Sequence, residues 1–174
     1  MWLSDALPPM GCAASRRNVI LGLATTPLLA CGFTPSLAPG GSADALRNQV
    51  LLDEPRDPEE FVLFSALEDR LGQPVNPVYA LSYLLNVRET NAGITPDNVI
   101  TRGVLTGRAE FLLTDRATGL TLTAGEVTTF TSYGTTGTTA ETTFARDDAF
   151  RRLTQILADE LIARLLASSP DWLA

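Results

Sequence analysis

Two hydrophobic periods divide this chain into elements. Gln49-Val50-Leu51-Leu52 is a short apolar run closed by Asp53-Glu54-Pro55, and it predicts a first strand. Asp57-Pro58-Glu59-Glu60 then carries helix-start chemistry: an aspartate to cap, a proline for the first position and a glutamate to close the box. Phe61, Phe64, Leu67 and Leu71 follow at three- and four-residue steps, so one apolar face is expected over about four turns. Gly72 suits the C-cap, and Pro74 and Pro77 forbid continuation.

Beyond the prolines the period changes to two. From Val78 to Val87, Tyr79, Leu81, Tyr83, Leu85 and Val87 share one face of a strand. Asn91-Ala92-Gly93 reads as a loop. A second long strand runs from about Ile100 to Thr114, with Leu105, Ala109, Phe111 and Leu113 on one side and Thr106, Arg108 and Glu110 on the other. Asp115 to Gly119 has the composition of a hairpin loop. The return strand is Leu120 to Ala124, continuing from Val127 to Tyr133, and Gly125 predicts a bulge. Thr135 to Thr143 is rich in Thr and Gly and reads as a mobile loop, or as a polar surface that folds against a partner. Asp147-Asp148 is expected to open a last helix, in which Phe150, Leu153, Ile156, Leu157, Leu161 and Leu165 form a wide apolar stripe ended by Ser168-Ser169-Pro170.

The expected order is β-α-β-β-β-α: an α+β two-layer sandwich of about four mainly antiparallel strands with two amphipathic helices on one face. The expected bounds are a lipoprotein signal peptide over 1–30, a lipidated N-terminus and tether over 31–45, and a single domain over 46–168. The other sheet face, with Thr106, Arg108, Glu110, Thr121 and Thr123, is then solvated or a contact surface.

The N-terminal region changes the picture. Ser15-Arg16-Arg17 precedes an apolar run from Val19 to Leu29, about half the length of a bilayer span. A charged region, a short apolar region and a small residue make a secretory signal. Leu28-Leu29-Ala30-Cys31 resembles the bacterial lipobox, in which the thiol is acylated and the peptide is cut before the cysteine. Cys31 is therefore the expected lipidation site and membrane attachment. The arginine pair fits either an ordinary positive region or a twin-arginine export signal, and Met1 and Met10 are alternative starts. Phe33 to Gly41, rich in Pro and Gly, reads as an extended tether. Gly32 rather than Asp after Cys31 is compatible with transfer to an outer membrane.

Charge and missing residue types narrow the chemistry. All 13 basic residues of the chain are arginines; there is no Lys and no His. From Cys31 onward, 11 arginines face 19 acids, a formal charge of −8, which argues against a nucleic-acid surface. Without His, Ser-His-Asp and Cys-His nucleophile systems are impossible; without Lys, so are Schiff-base and P-loop lysines. A zinc site would have to be all carboxylate. No catalytic residues, metal ligands or cofactor are expected, and the chain is read as a non-enzyme. Cationic contacts are expected at Arg108 first, with Arg102 and Arg116 as further candidates on the hairpin of the long strands, since a guanidinium grips phosphate through two parallel hydrogen bonds; the alternative for Arg108 is pairing with a neighbouring acid.

Cys31-Gly32-Phe33-Thr34-Pro35 is similar to the lipidated start of the LPS-assembly lipoproteins. The Tyr83 strand, the turn Thr114 to Gly119 and the helix opening Asp148-Ala149-x-Arg151 resemble that family in the same order, so the likeness spans Cys31 to about Leu166. The chain departs at Ser36-Leu37, where many members carry Leu-Tyr. The resemblance implies an outer-membrane lipoprotein on the periplasmic side or in a barrel lumen. It would plug and help assemble the β-barrel LPS translocon and contact lipopolysaccharide. A polar sheet face suits a wet lumen, since barrel interiors are polar. The alternative is an auxiliary lipoprotein of a lipid-transport ABC system, acting as a periplasmic binding or interaction module.

Overall fold

The computed structural model describes residues 40–173; Cys31, the signal region and most of the tether lie outside them. The elements are α1 (Ser42–Leu46), β1 (Val50–Leu52), α2 (Pro58–Leu71), β2 (Tyr79–Ile94), β3 (Ile100–Asp115), β4 (Thr121–Gly134) and α3 (Thr139–Ser168), followed by a 3-10 turn at Ser169–Asp171. The sheet order is β1-β2-β3-β4. β1 pairs parallel with β2, from Val50↔Tyr79 to Leu52↔Leu81, and α2 supplies the crossover that a parallel pair needs. The other pairings are antiparallel. The result is the expected α+β sandwich, with the helices packed on a four-stranded mixed sheet.

α2 begins as its residues dictate. The Asp57 carboxylate accepts from the Glu60 amide at 2.7 Å, and the Glu60 carboxylate accepts from the Arg56 amide at 2.9 Å. Gly72 takes φ 77° and closes the C-terminus. The buried face differs from the one expected. Leu63, Ala66, Leu67 and Leu71 are buried, while Phe61 is 58% exposed and Phe64 only flanks the core. Phe61-Val62-Leu63-Phe64 offers two overlapping stripes. The one with branched aliphatics packs on the sheet, and the two phenylalanines stack with their centroids 6.4 Å apart.

β3 follows the alternation: Leu105, Ala109, Phe111 and Leu113 are buried, and Arg108 and Glu110 are exposed. Gly103 and Gly107 stand on the same inner face. A Cβ at Gly107 would lie 2.8 Å from Leu157 Cδ1 and 3.0 Å from Leu153 Cδ2, so this glycine lets α3 lie close on the sheet. On α3, Phe150, Leu153, Leu157, Leu161 and Leu165 are buried as expected, but Ile156 is exposed at the rim of the stripe.

Three local readings are corrected. Asn91-Ala92-Gly93 is not a loop: β2 continues through it to Ile94, and the turn is at 95–99, where Asn98 takes φ 62°. Here β2 is paired with β3 but little buried, so no hydrophobic alternation betrays the strand. Gly125 is not a bulge. It pairs in register with Phe111, whose ring would be 3.0 Å from a Cβ there. The register shift falls instead between Leu113↔Thr123 and Thr114↔Thr121, at Leu122. Finally, Thr139 to Thr143 is helix, because Thr138 and Glu141 form a capping box. Asp147-Asp148 therefore sits two turns inside α3.

Candidate functional site

The sheet face opposite the helices carries the charged chemistry. Cross-strand register places Arg108 beside Asn86 and Thr128, and Glu110 beside Leu84 and Glu126. Arg108 Nη2 meets Glu110 Oε1 at 3.1 Å and Glu126 Oε2 at 2.5 Å. The guanidinium is thus held between two carboxylates on one face, each group about half exposed. This trio carries net −1, and an anionic ligand approaching Arg108 must first displace an acid.

Arg116 is used structurally. Its Nη1 donates to the Pro77 carbonyl at 2.9 Å and its amide to the Val78 carbonyl at 2.9 Å, tying the β3–β4 hairpin to the start of β2. The same hairpin is closed by Asp115, whose carboxylate accepts from the Ala117 and Thr118 amides and from the Thr118 hydroxyl. These donors, the Thr118 amide and hydroxyl foremost, hold the Asp115 carboxyl below its ordinary range.

Arg102 lies at the other end of β3, exposed and opposite Ala92 and Gly134. It makes no ion pair among the described residues. Arg102 and Arg116 are separated by fourteen positions of strand, roughly 45 Å at strand spacing. The three arginines therefore do not converge on one ligand: one is ion-paired, one braces a hairpin and one is open.

Two residue sets escaped the sequence reading. Arg88, exposed, stands on the same outer face as Arg102, in the row Arg88–Thr106–Phe130. Carrying the period-two alternation past Val87 finds it. On the inner face, Glu89 accepts from the Tyr133 hydroxyl in a short contact and pairs with Arg146 Nε at 2.9 Å, joining β2, β4 and α3. The Tyr133 hydroxyl, followed by Arg146, lowers the Glu89 carboxyl, and the same contact raises the Tyr133 phenol. No sequence spacing links residues so far apart.

At the opposite end of β2, the Tyr83 hydroxyl donates to the Asp53 carbonyl at 3.2 Å, and burial pushes its phenol up to about 12. A shallow cleft of about 730 Å3 between the edge of β4 and the C-terminal half of α3 is lined by Glu126, Thr128, Glu160, Ala163 and Arg164 among others. Among the described residues, no three His, Cys, Asp or Glu side chains converge in a way that could hold a metal ion, and no helix is long and apolar enough to cross a membrane.

No protein-family model matches this chain, and no curated protein matches it. Solved structures do. A lipoprotein of Caulobacter crescentus superposes with a TM-score of 0.58 at 18% identity, over 72% of this chain and 94% of that one. Rare lipoprotein B of Shewanella oneidensis gives 0.56 at 10% identity, over 72% and 98%. A minor lipoprotein of Acinetobacter baumannii gives 0.51 at 20% identity, over 68% and 88%. The arrangement of strands and helices described above is thus similar to the fold of these three bacterial proteins.

Proposed function

We propose that this chain is a lipid-anchored lipoprotein of the bacterial outer membrane that plugs and helps assemble the β-barrel LPS translocon and contacts lipopolysaccharide on its way to the surface. The observation that carries the reading is a juxtaposition. The lipobox cysteine, Cys31, stands nine positions before Gly40, where a domain begins that shares its fold with nearly the whole of three proteins named lipoproteins. The surface chemistry supports it. The outer sheet face is long, and at its middle the ion-paired Arg108 trio presents both signs of charge to a polar lumen.

The test uses the full chain with a C-terminal tag, purified from detergent-solubilised outer membranes. A large β-barrel protein is expected to co-purify, and Cys31→Ser is expected to move the chain out of the membrane fraction. A chain that purifies with an inner-membrane ABC assembly, or with no barrel at all, overturns the reading.

A further inference from the structure

β4 is the last strand in the sheet order, so one long side of it has no neighbouring strand. The Thr135 amide donates to the Thr101 carbonyl at 3.1 Å, in line with the β3–β4 register. In an antiparallel ladder the bonding direction alternates along the strand. Odd-numbered residues from Thr123 to Tyr133 therefore bond to β3, and Ala124, Glu126, Thr128, Phe130, Ser132 and Gly134 turn their N–H and C=O groups outward. Among the described residues, none of these outward groups has a backbone partner. Sheet edges are ordinarily guarded by charge, proline, a bulge or shortness. At the other edge β1 is three residues long, and the free part of β2 beyond it carries Arg88 and Glu89. β4 has 14 residues, no proline and one charged side chain, Glu126, and its register shift lies back at the hairpin end. α3 does not close this edge. Leu153 and Leu157 reach inward to Gly107 on β3, and the cleft lined by Glu126, Thr128 and Ala163 opens between helix and strand.

We infer that the open edge of β4 pairs antiparallel with β4 of a second copy of this chain, about a two-fold axis at Phe130. In that register Phe130 meets its twin, Thr128 meets Ser132 of the second copy, and Glu126 meets Gly134 of the second copy. Charge complementarity argues for this occupant. The trio of Arg108, Glu110 and Glu126 carries net −1, and Arg102 makes no ion pair among the described residues. Gly134 is the β4 neighbour of Arg102, so the row Leu84–Glu110–Glu126 runs on into Gly134 and Arg102 of the second copy. Glu126 and that arginine stand two strands apart, roughly 10 Å between backbones, with a glycine between them and no side chain in the way. The guanidinium turns the trio into a neutral quartet, and the two-fold axis does so twice. The same step covers Phe130, 69% exposed on its own, with a second aromatic ring. A register centred on Glu126 would instead set two carboxylates directly opposite each other, which is unfavourable. The inference goes beyond the function proposed above. Pairing covers outer-face residues that a barrel wall would meet, so the paired chain is the one free of a barrel.

The test uses the purified full chain, free of any barrel, with cysteines introduced on β4. Phe130→Cys is expected to give a disulfide-linked pair on mild oxidation, because opposed residues of a hydrogen-bonded pair stand about 5.5 Å apart at Cα, within disulfide reach. A mixture of Thr128→Cys and Ser132→Cys chains is expected to link. Thr128→Cys by itself is not, since its two copies lie roughly 13 Å apart along the strands. Without cysteines, Phe130→Lys puts a charge at the axis, and Thr128→Pro removes an outward N–H while leaving the β3 ladder intact. Each is expected to abolish the dimer seen by sedimentation and to leave the far-ultraviolet circular dichroism unchanged. Arg102→Glu is expected to weaken the dimer about tenfold, and Arg151→Glu, exposed on α3, to leave it as it is. A chain that stays monomeric at all concentrations, a link in Thr128→Cys by itself, or a dimer indifferent to Phe130→Lys and Arg102→Glu overturns the inference. Barrel capture from membranes is read separately. A chain that pairs through β4 and captures no barrel supports the inference and counts against the proposed plug.

Discussion

At the residue scale, burial decides which side chains matter, and the two phenylalanines of α2 are instructive. Phe61 is 58% exposed while Leu63 and Leu157 are fully buried. Leu63→Ala and Leu157→Ala are each expected to cost about 2–5 kcal/mol, and Phe61→Ala about 0.5 kcal/mol or less. Chemical denaturation of the three variants checks this, and equal losses would reverse the face assignment. The acid limb of stability depends on single carboxylates. Glu89, Asp115, Glu141 and Asp159 all have lowered native pKa values, through Tyr133, Thr118, Thr138 and Arg70 respectively. A group lowered in the native state stabilises above its unfolded pKa, and that stability is lost as pH falls through the native one. Melting temperature is therefore expected to fall below about pH 4.5. Tyr133→Phe, which removes the main cause at Glu89, is expected to make that fall shallower; an acid limb of unchanged slope would count against the clamp. On the alkaline side, the raised Tyr83 phenol gives stability that is present below pH 10 and lost as pH rises toward about 12.

At the element scale, the contact between α3 and β3 turns on Gly107. A Cβ there would meet Leu157 and Leu153 within 3.0 Å, so Gly107→Ala is expected to lift the helix or shift both leucines, costing about 1–3 kcal/mol. A melting curve left in place would mean the helix does not lie on that glycine. The start of α3 depends on the Thr138–Glu141 box; Thr138→Ala is expected to cost about 0.5–2 kcal/mol of helix stability, read by amide exchange over 139–146. This box also shows what the sequence could tell. Thr138-Thr139-Ala140-Glu141 carries the cap in plain view, but the Thr and Gly around it read as a mobile loop, since composition outweighs one local motif. The inner face of β3 and the stripe of α3 are legible because burial imposes a period; β1 and α2 are legible as an apolar run and a capped helix, while the overlapping stripes of α2 conceal which face is buried. The far half of β2 was not, because a strand paired at its edge and open on its faces needs no alternation. The same blindness hid Arg88. For Arg108 the structure realises the alternative of pairing with acids: Glu110 stands two positions on along the same strand face, and register, which no single strand reveals, adds Glu126.

At the scale of the whole molecule, the two ends differ in character. α1 lies close to the C-terminal half of α3, and Gln49 just after it accepts from the Val78 and Tyr79 amides at the start of β2. The β2–β3 tip, with Ile94, Val99 and Ile100 exposed, is sixteen residues of strand away, roughly 50 Å. Under the function proposed above, the ion-paired rows around Arg108 on the outer sheet face would meet the wall of a barrel lumen. Site-specific photo-crosslinking in intact outer membranes tests that claim most directly. A crosslinking residue at Thr106 or Thr128, on the outer sheet face beside Arg108, is predicted to give one adduct of the size of a large β-barrel protein, while the same residue at Arg151 on α3 gives a different pattern. Adducts only with inner-membrane or soluble periplasmic proteins, or none from either sheet position, would contradict the account.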